Sequence, residues 1–163
     1  MSNQISPANR AALLAVRRGR YPHMGPLDSA VWRLVLEHGL FPSDRYEYDV
    51  RLGGSKSLLV DDSHELKPMW ETLLRKRVDV VAWSGQSPTL VEVKPVASFA
   101  ALGQCLGYRF LWRAERGGEG PVRMACACAV VDEDLRGLFE SLEIRLVCLP
   151  VALAEQVFSA GRS

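Results

Sequence analysis

The sequence predicts an α/β fold with a mixed central β-sheet flanked by helices. Three observations carry this. Residues 78–94 hold two short apolar strands around a Ser-Gly-Gln-Ser-Pro turn, the pattern of a hairpin. Residues 89–149 then alternate strand, helix, strand, helix, strand, the pattern of parallel crossovers. Apolar residues make up 48% of the 163 and charged residues 24%, so a folded core is expected rather than a disordered or fibrous chain.

Taken in order, residues 1–25 read as a basic arm and residues 26–163 as one domain. The arm has Arg10, Arg17, Arg18 and Arg20 and no acid, with a short helix over Pro7–Arg18. The first core helix runs from Asp28 to His38, with Asp28 as N-cap and Gly39 as its stop. Arg45–Leu52 alternates as a strand, placing Tyr46, Tyr48, Val50 and Leu52 on one side. Gly53-Gly54 is a turn, and Pro68–Arg77 a short helix ending in Arg75, Lys76 and Arg77. Val78–Trp83 and Thr89–Lys94 are the hairpin strands. Ser98–Trp112 is a helix, with Ala101, Cys105, Tyr108 and Trp112 on one line and Leu102, Leu106, Arg109 and Arg113 on another. Val122–Val131 is apolar throughout, as in a strand buried on both faces. Asp132–Leu142, Glu143–Leu149 and Val151–Ala160 follow as helix, strand and helix.

The net charge is +1, so bulk charge does not argue for a nucleic-acid partner. The positive charge is instead clustered: in the arm, at Arg75–Arg77, and at Arg109, Arg113 and Arg116. Such clusters are solvated surface unless they surround a site. The four cysteines lack zinc-ligand or disulfide-scaffold spacing, so reduced, buried thiols and a cytoplasmic location are expected. No run approaches the roughly 18 apolar residues of a membrane span, and no signal peptide is visible.

Chemistry concentrates in Arg77-Val-Asp-Val-Val-Ala-Trp83 and Thr89-Leu-Val-Glu-Val-Lys94. Asp79 interrupts one apolar strand, and Glu92 and Lys94 share a face of the next. An unpaired buried charge costs several kcal/mol, on the order of the stability of a small domain. If the strands pair, Asp79 meets Glu92. The carboxylates then offer hard oxygen ligands to Mg²⁺, and the ammonium acts on water or phosphate. A buried salt bridge without catalysis satisfies the same spacing. Gln104 and Tyr108 are neighbours on a helix, where Gln104 can lie over the cluster.

Asp79, Glu92-Val-Lys94 and Gln104-x-x-x-Tyr108 together resemble the PD-(D/E)XK nuclease superfamily, the last element its RecB-like branch. The resemblance spans residues 28–131 and implies a restriction-endonuclease-like αβββαβ core. It implies Asp79, Glu92 and the Val93 carbonyl as ligands of Mg²⁺ or Mn²⁺, Lys94 as the catalytic lysine, and Gln104 as a substrate-positioning group. Resolvase-like and transposase-endonuclease members carry a further acid on the first helix. Asp28 fits that place, with Glu37 as its competitor. Val78 stands where many members have proline, and the stretch 53–76 is longer than in minimal members.

The expected function is therefore a metal-dependent DNA endonuclease leaving 5′-phosphate and 3′-hydroxyl ends. A protein partner or a second copy would target it, in a phage, mobile-element or repair setting. Arg17, Arg18, Arg20, Arg75, Lys76, Arg77 and Tyr108 are the expected DNA contacts. The alternative is a nuclease-fold structural or nucleic-acid-binding module with weak or lost activity, virion-associated if phage-encoded. The apolar residues Val151, Leu153, Val157 and Phe158 of the last helix favour protein contacts.

Overall fold

Turn chemistry and crossover helices set the strand directions of this protein. Its structure, a computed structural model, describes residues 21–53, 75–116 and 121–160. The expected helix at 7–18 and residues 68–74 of the next expected helix lie outside them. The elements are α1 (Pro26–Glu37), β1 (Arg45–Leu52), β2 (Lys76–Ser84), β3 (Ser87–Ala97), α2 (Phe99–Glu115), β4 (Arg123–Val131), α3 (Glu133–Ser141), β5 (Ile144–Cys148) and α4 (Val151–Ala160). One sheet holds the strands in sequence order. Strands β1, β2 and β3 are antiparallel neighbours. Strands β3, β4 and β5 are parallel, because α2 and α3 return the chain between them. The result is an α/β fold with an open, mixed five-stranded sheet. Among the described residues no helix is long and apolar enough to cross a membrane.

Helices cover both faces. Val31, Trp32, Leu34 and Val35 of α1, with Ala154 and Val157 of α4, bury Val80, Val91, Val93, Ala125 and Ala127. On the other face Ala101, Cys105, Tyr108 and Trp112 of α2, with Leu135 and Phe139 of α3, bury Val81, Leu90, Met124, Cys126 and Cys128. Alternate residues of β4 thus enter opposite layers, and Met124–Ala129 are all buried, as an all-apolar strand requires. Val157 is buried and Leu153 and Phe158 pack on the core, so α4 is largely used internally; Val151 remains exposed.

Several boundaries differ from expectation. Gly25 is the N-cap of α1, Pro26 opens it, and Asp28 sits in its first turn, where it accepts the Gly25 N–H at 3.3 Å. Proline presets the helical φ and lacks only an N–H that has no helical partner, so the helix starts early. Tyr21, placed in the arm on sequence grounds, is 4% exposed and belongs to the core. Lys76 and Arg77 open β2 instead of closing a helix. Strand β3 continues through Pro95 to Ala97. Its ladder to β2 ends at Val80↔Val91, so beyond that point one edge needs no donor and proline is tolerated.

The four alternating residues of β1 do not share a side. Tyr46 and Tyr48 pack with the α1 layer, whereas Val50 and Leu52 pack with the α2 layer. Asp49 between them has φ +55°, the left-handed region. Strand β2 switches in step, with Val80 in the α1 layer and Val78 in the α2 layer. Register is preserved on both sides, as Tyr48↔Val80 and Val50↔Val78. The switch is therefore a local rotation of both strands, centred on Asp49 and Asp79.

Candidate active site

The acids sit where β2 and β3 part. One step beyond Val80↔Val91, Asp79 would oppose Glu92 in register. There the backbone ladder is replaced by a side chain: the Val93 N–H donates to Asp79 Oδ2 at 2.9 Å. The rotation at residue 79 thus turns a strand residue into an acceptor for the neighbouring strand. Glu92 keeps the alternation of β3, faces α2 and is completely buried. Lys94, two residues on, places Nζ 2.7 Å from Glu92 Oε1 and remains partly exposed.

This pairing places a carboxyl and an ammonium in close contact in a buried setting. The Lys94 ammonium lies beside Oε1, and the Tyr108 and Asp79 side chains act on the same carboxyl. Burial first, and the Asp79 charge second, push the Glu92 carboxyl up to about 8, while Lys94 and Tyr108 pull it down. Burial also raises the Asp79 carboxyl, opposed by the Val93 N–H and by Lys94. For Lys94, burial acts to lower the ammonium's pKa, but Glu92, Asp79 and Asp28 outweigh it and raise it. The ammonium therefore persists at neutral pH between acids that crowd each other.

Helix α2 closes the cluster from one face. Gln104 Nε2 donates to the Tyr108 hydroxyl at 3.1 Å. Tyr108 is 4% exposed, and burial followed by the Glu92 charge raises its hydroxyl pKa, so it stays neutral. Tyr108 is thus a buried brace for Gln104, as its spacing suggests, and its burial leaves little open surface for the DNA contact also assigned to it from sequence. Gln104 is half-buried above it.

The first turn of α1 addresses the same cluster. The Asp28 charge contributes to the raised pKa of both Asp79 and Lys94. Glu37, at the far end of α1, is exposed and pairs with Arg33 at 3.1 Å. The structure therefore brings Asp28, not Glu37, within electrostatic range of the site. Among the described residues no three His, Cys, Asp or Glu side chains gather closely enough to hold a metal ion. The close pair is Asp79 and Glu92. Two crowded carboxyls, one of them completely buried, are the kind of donor set that fits a hard divalent cation retaining several waters.

The expected basic contacts fare differently. Arg75 is exposed and donates to the Gly53 carbonyl at 2.9 Å, and Lys76 is exposed. Arg77 is engaged, touching the His23 ring and lying 3.4 Å from Asp49 Oδ1. Arg17, Arg18 and Arg20 lie outside the described residues. Sequence reasoning missed the His23–Asp49–Arg77 group, in which His23 Nε2 is 3.0 Å from Asp49 Oδ2. An acid inside the alternating β1 pattern was the available signal.

No family model, no curated protein and no solved structure matches this chain.

Proposed function

We propose that the chain is a metal-dependent phosphodiesterase acting on DNA, with a restriction-endonuclease-like αβββαβ core running from α1 to β4. The observation that carries this reading is Glu92, wholly buried one register step from a second acid, Asp79, with the partly exposed Lys94 ammonium 2.7 Å from its Oε1. A purely structural ion pair needs one acid; a second carboxyl crowding the first is destabilising unless a cation shares them. The order of helix, three antiparallel strands, helix and parallel strand supports the same reading.

Asp79 and Glu92 would hold Mg²⁺ or Mn²⁺, with the Val93 carbonyl beside them and Asp28 as a further acid. Bound there, the ion would lower the pKa of a water and offset negative charge on a phosphate. Lys94 stands at the open side of the pair and can donate to an entering phosphate oxygen or hold the attacking water. Gln104 spends one amide donor on Tyr108 and keeps the rest of its amide for water or phosphate. Tyr108, neutral and buried, fixes that orientation. DNA, brought by a protein partner or a second copy, is the proposed substrate.

The test is incubation of the full chain with plasmid, linear and branched DNA, in Mg²⁺, Mn²⁺ or EDTA. Cleavage that needs the metal and is lost in Glu92→Gln and Asp79→Asn is expected. DNA binding without cleavage, unchanged by Glu92→Gln, would assign a binding module of a phage particle or DNA-processing complex instead.

A further inference from the structure

Arg109, Arg113 and Arg116 form one basic cluster in sequence, but the structure divides them. Arg116 lies over the Trp112 ring, 4.6 Å from its centroid. Arg109 and Arg113 instead line a cavity of about 390 Å³ at the amino-terminal edge of the parallel strands. Arg123, which opens β4, and Arg145, in β5, complete its basic wall. Among the described residues Glu143 is the one carboxylate in its lining, which leaves those residues an excess of three positive charges.

Two of these arginines are held in place without being neutralised. Arg109 donates to the Leu142 carbonyl at 2.9 Å, and Arg145 lies over the Phe41 ring, 5.0 Å from its centroid. Arg113 and Arg123 are exposed. Among the described residues no ion pair joins any of the four to an acid, whereas Arg33, Arg77 and Arg136 each have one. Like charges gathered around a small cavity repel one another, and a bound anion would remove that repulsion.

We propose that this cavity binds the phosphates of a nucleotide, with a diphosphate-like group among the four guanidiniums. Guanidinium forks match phosphate oxygens in pairs, and among the described lining residues the carboxylate of Glu143 leaves most of the local charge uncompensated. The apolar lining of Val122, Pro121 and Met124 gives the nucleoside portion a surface beside the charges. The site goes beyond the nuclease reading and does not rest on it. None of Asp79, Glu92 and Lys94 lines the cavity.

The ligand's phosphates have two sources, a free nucleotide or a nucleic-acid strand. The full chain is titrated in EDTA with pyrophosphate and with ADP by calorimetry, and with a fluorescent single-stranded oligonucleotide by anisotropy. Excluding divalent metal keeps the Asp79–Glu92 site out of the measurement. The variants are Arg113→Ala with Arg123→Ala, both at exposed positions, and Glu92→Gln as the control. Wild type and Glu92→Gln should bind pyrophosphate and ADP alike, and the double variant should bind both about tenfold or more weakly. Oligonucleotide binding displaced by pyrophosphate identifies a strand as the source. ADP binding with no such displacement identifies a free nucleotide. Absence of saturable binding for all three probes, or equal binding by the double variant, overturns the proposal.

Discussion

Glu92 shows how much a single buried carboxyl can dictate. Its folded-state value of about 8 lies above its ordinary 4.5, so the folded protein holds a proton that the unfolded chain releases between those values. Stability from this group is therefore complete below about 4.5 and is lost as pH rises to about 8, an effect on the order of a few kcal/mol. Denaturant unfolding across that window should show the decline, and Glu92→Gln should flatten it. A wild-type profile as flat as that of Glu92→Gln would mean that the carboxyl is already neutralised by its neighbours. If the acids hold a cation, Mg²⁺ at pH 8 should raise the Tm of wild type but not of Glu92→Gln, because a ligand bound only by the folded state stabilises it. Lys94→Ala should retain Mn²⁺ binding by calorimetry and lose cleavage. At this scale the sequence was most legible: Asp79, Glu92 and Lys94 are charges in apolar strands, and such residues need a reason. Asp28 was legible as an acid but not as an N3 residue, because Pro26 moved the helix start.

At the level of elements, α2 places Gln104 and Tyr108 as their four-residue spacing predicts, and their hydrogen bond at 3.1 Å follows from it. Gln104→Ala should lower turnover by about 10- to 150-fold, the value of one hydrogen bond to a charged group. Its thermal stability should barely change, since the side chain is only half-buried. The same helix contains Gly103 and Gly107, and a Cβ at either meets nothing within 4 Å. Gly103→Ala should therefore stabilise the fold by about 0.5–1 kcal/mol through helix propensity, read as a higher unfolding midpoint. A drop in activity without a loss of stability in that variant would place substrate against the helix surface at residue 103. The β1–β2 rotation was not legible. Alternation predicts one face for Tyr46 to Leu52, and only a left-handed residue breaks it; Asp49 is not the glycine that advertises such a position. The result matters to the site, because the same rotation turns Asp79 toward Val93.

Across the whole molecule, a net charge of +1 conceals strong local asymmetry. Acids crowd the point where β2 and β3 part, and four arginines gather at the amino-terminal edge of the parallel strands. The second grouping was half visible in sequence: Arg109 and Arg113 share a helix line, but Arg123 and Arg145 join them only through the parallel register of β3, β4 and β5. The arm adds a third basic region, with Arg10, Arg17, Arg18 and Arg20 and no acid among its first 20 residues. Tyr21 is 4% exposed and packs in the α1 layer, so a truncation that tests the arm must end at residue 20. Deleting residues 1–20 should leave the Tm within a few degrees of wild type, since the core elements begin beyond the cut. If the arm's arginines lie on phosphates, the truncated chain should bind duplex DNA more weakly. The slope of log affinity against log salt should then fall by about 0.9 for each contact removed. Cleavage per bound complex should persist, because Asp79, Glu92, Lys94 and Gln104 remain. A truncated chain with an unchanged salt slope would take the arm out of DNA binding and move the electrostatic contact to the arginine cavity or to Arg75 and Lys76, the exposed basic residues before and at the start of β2.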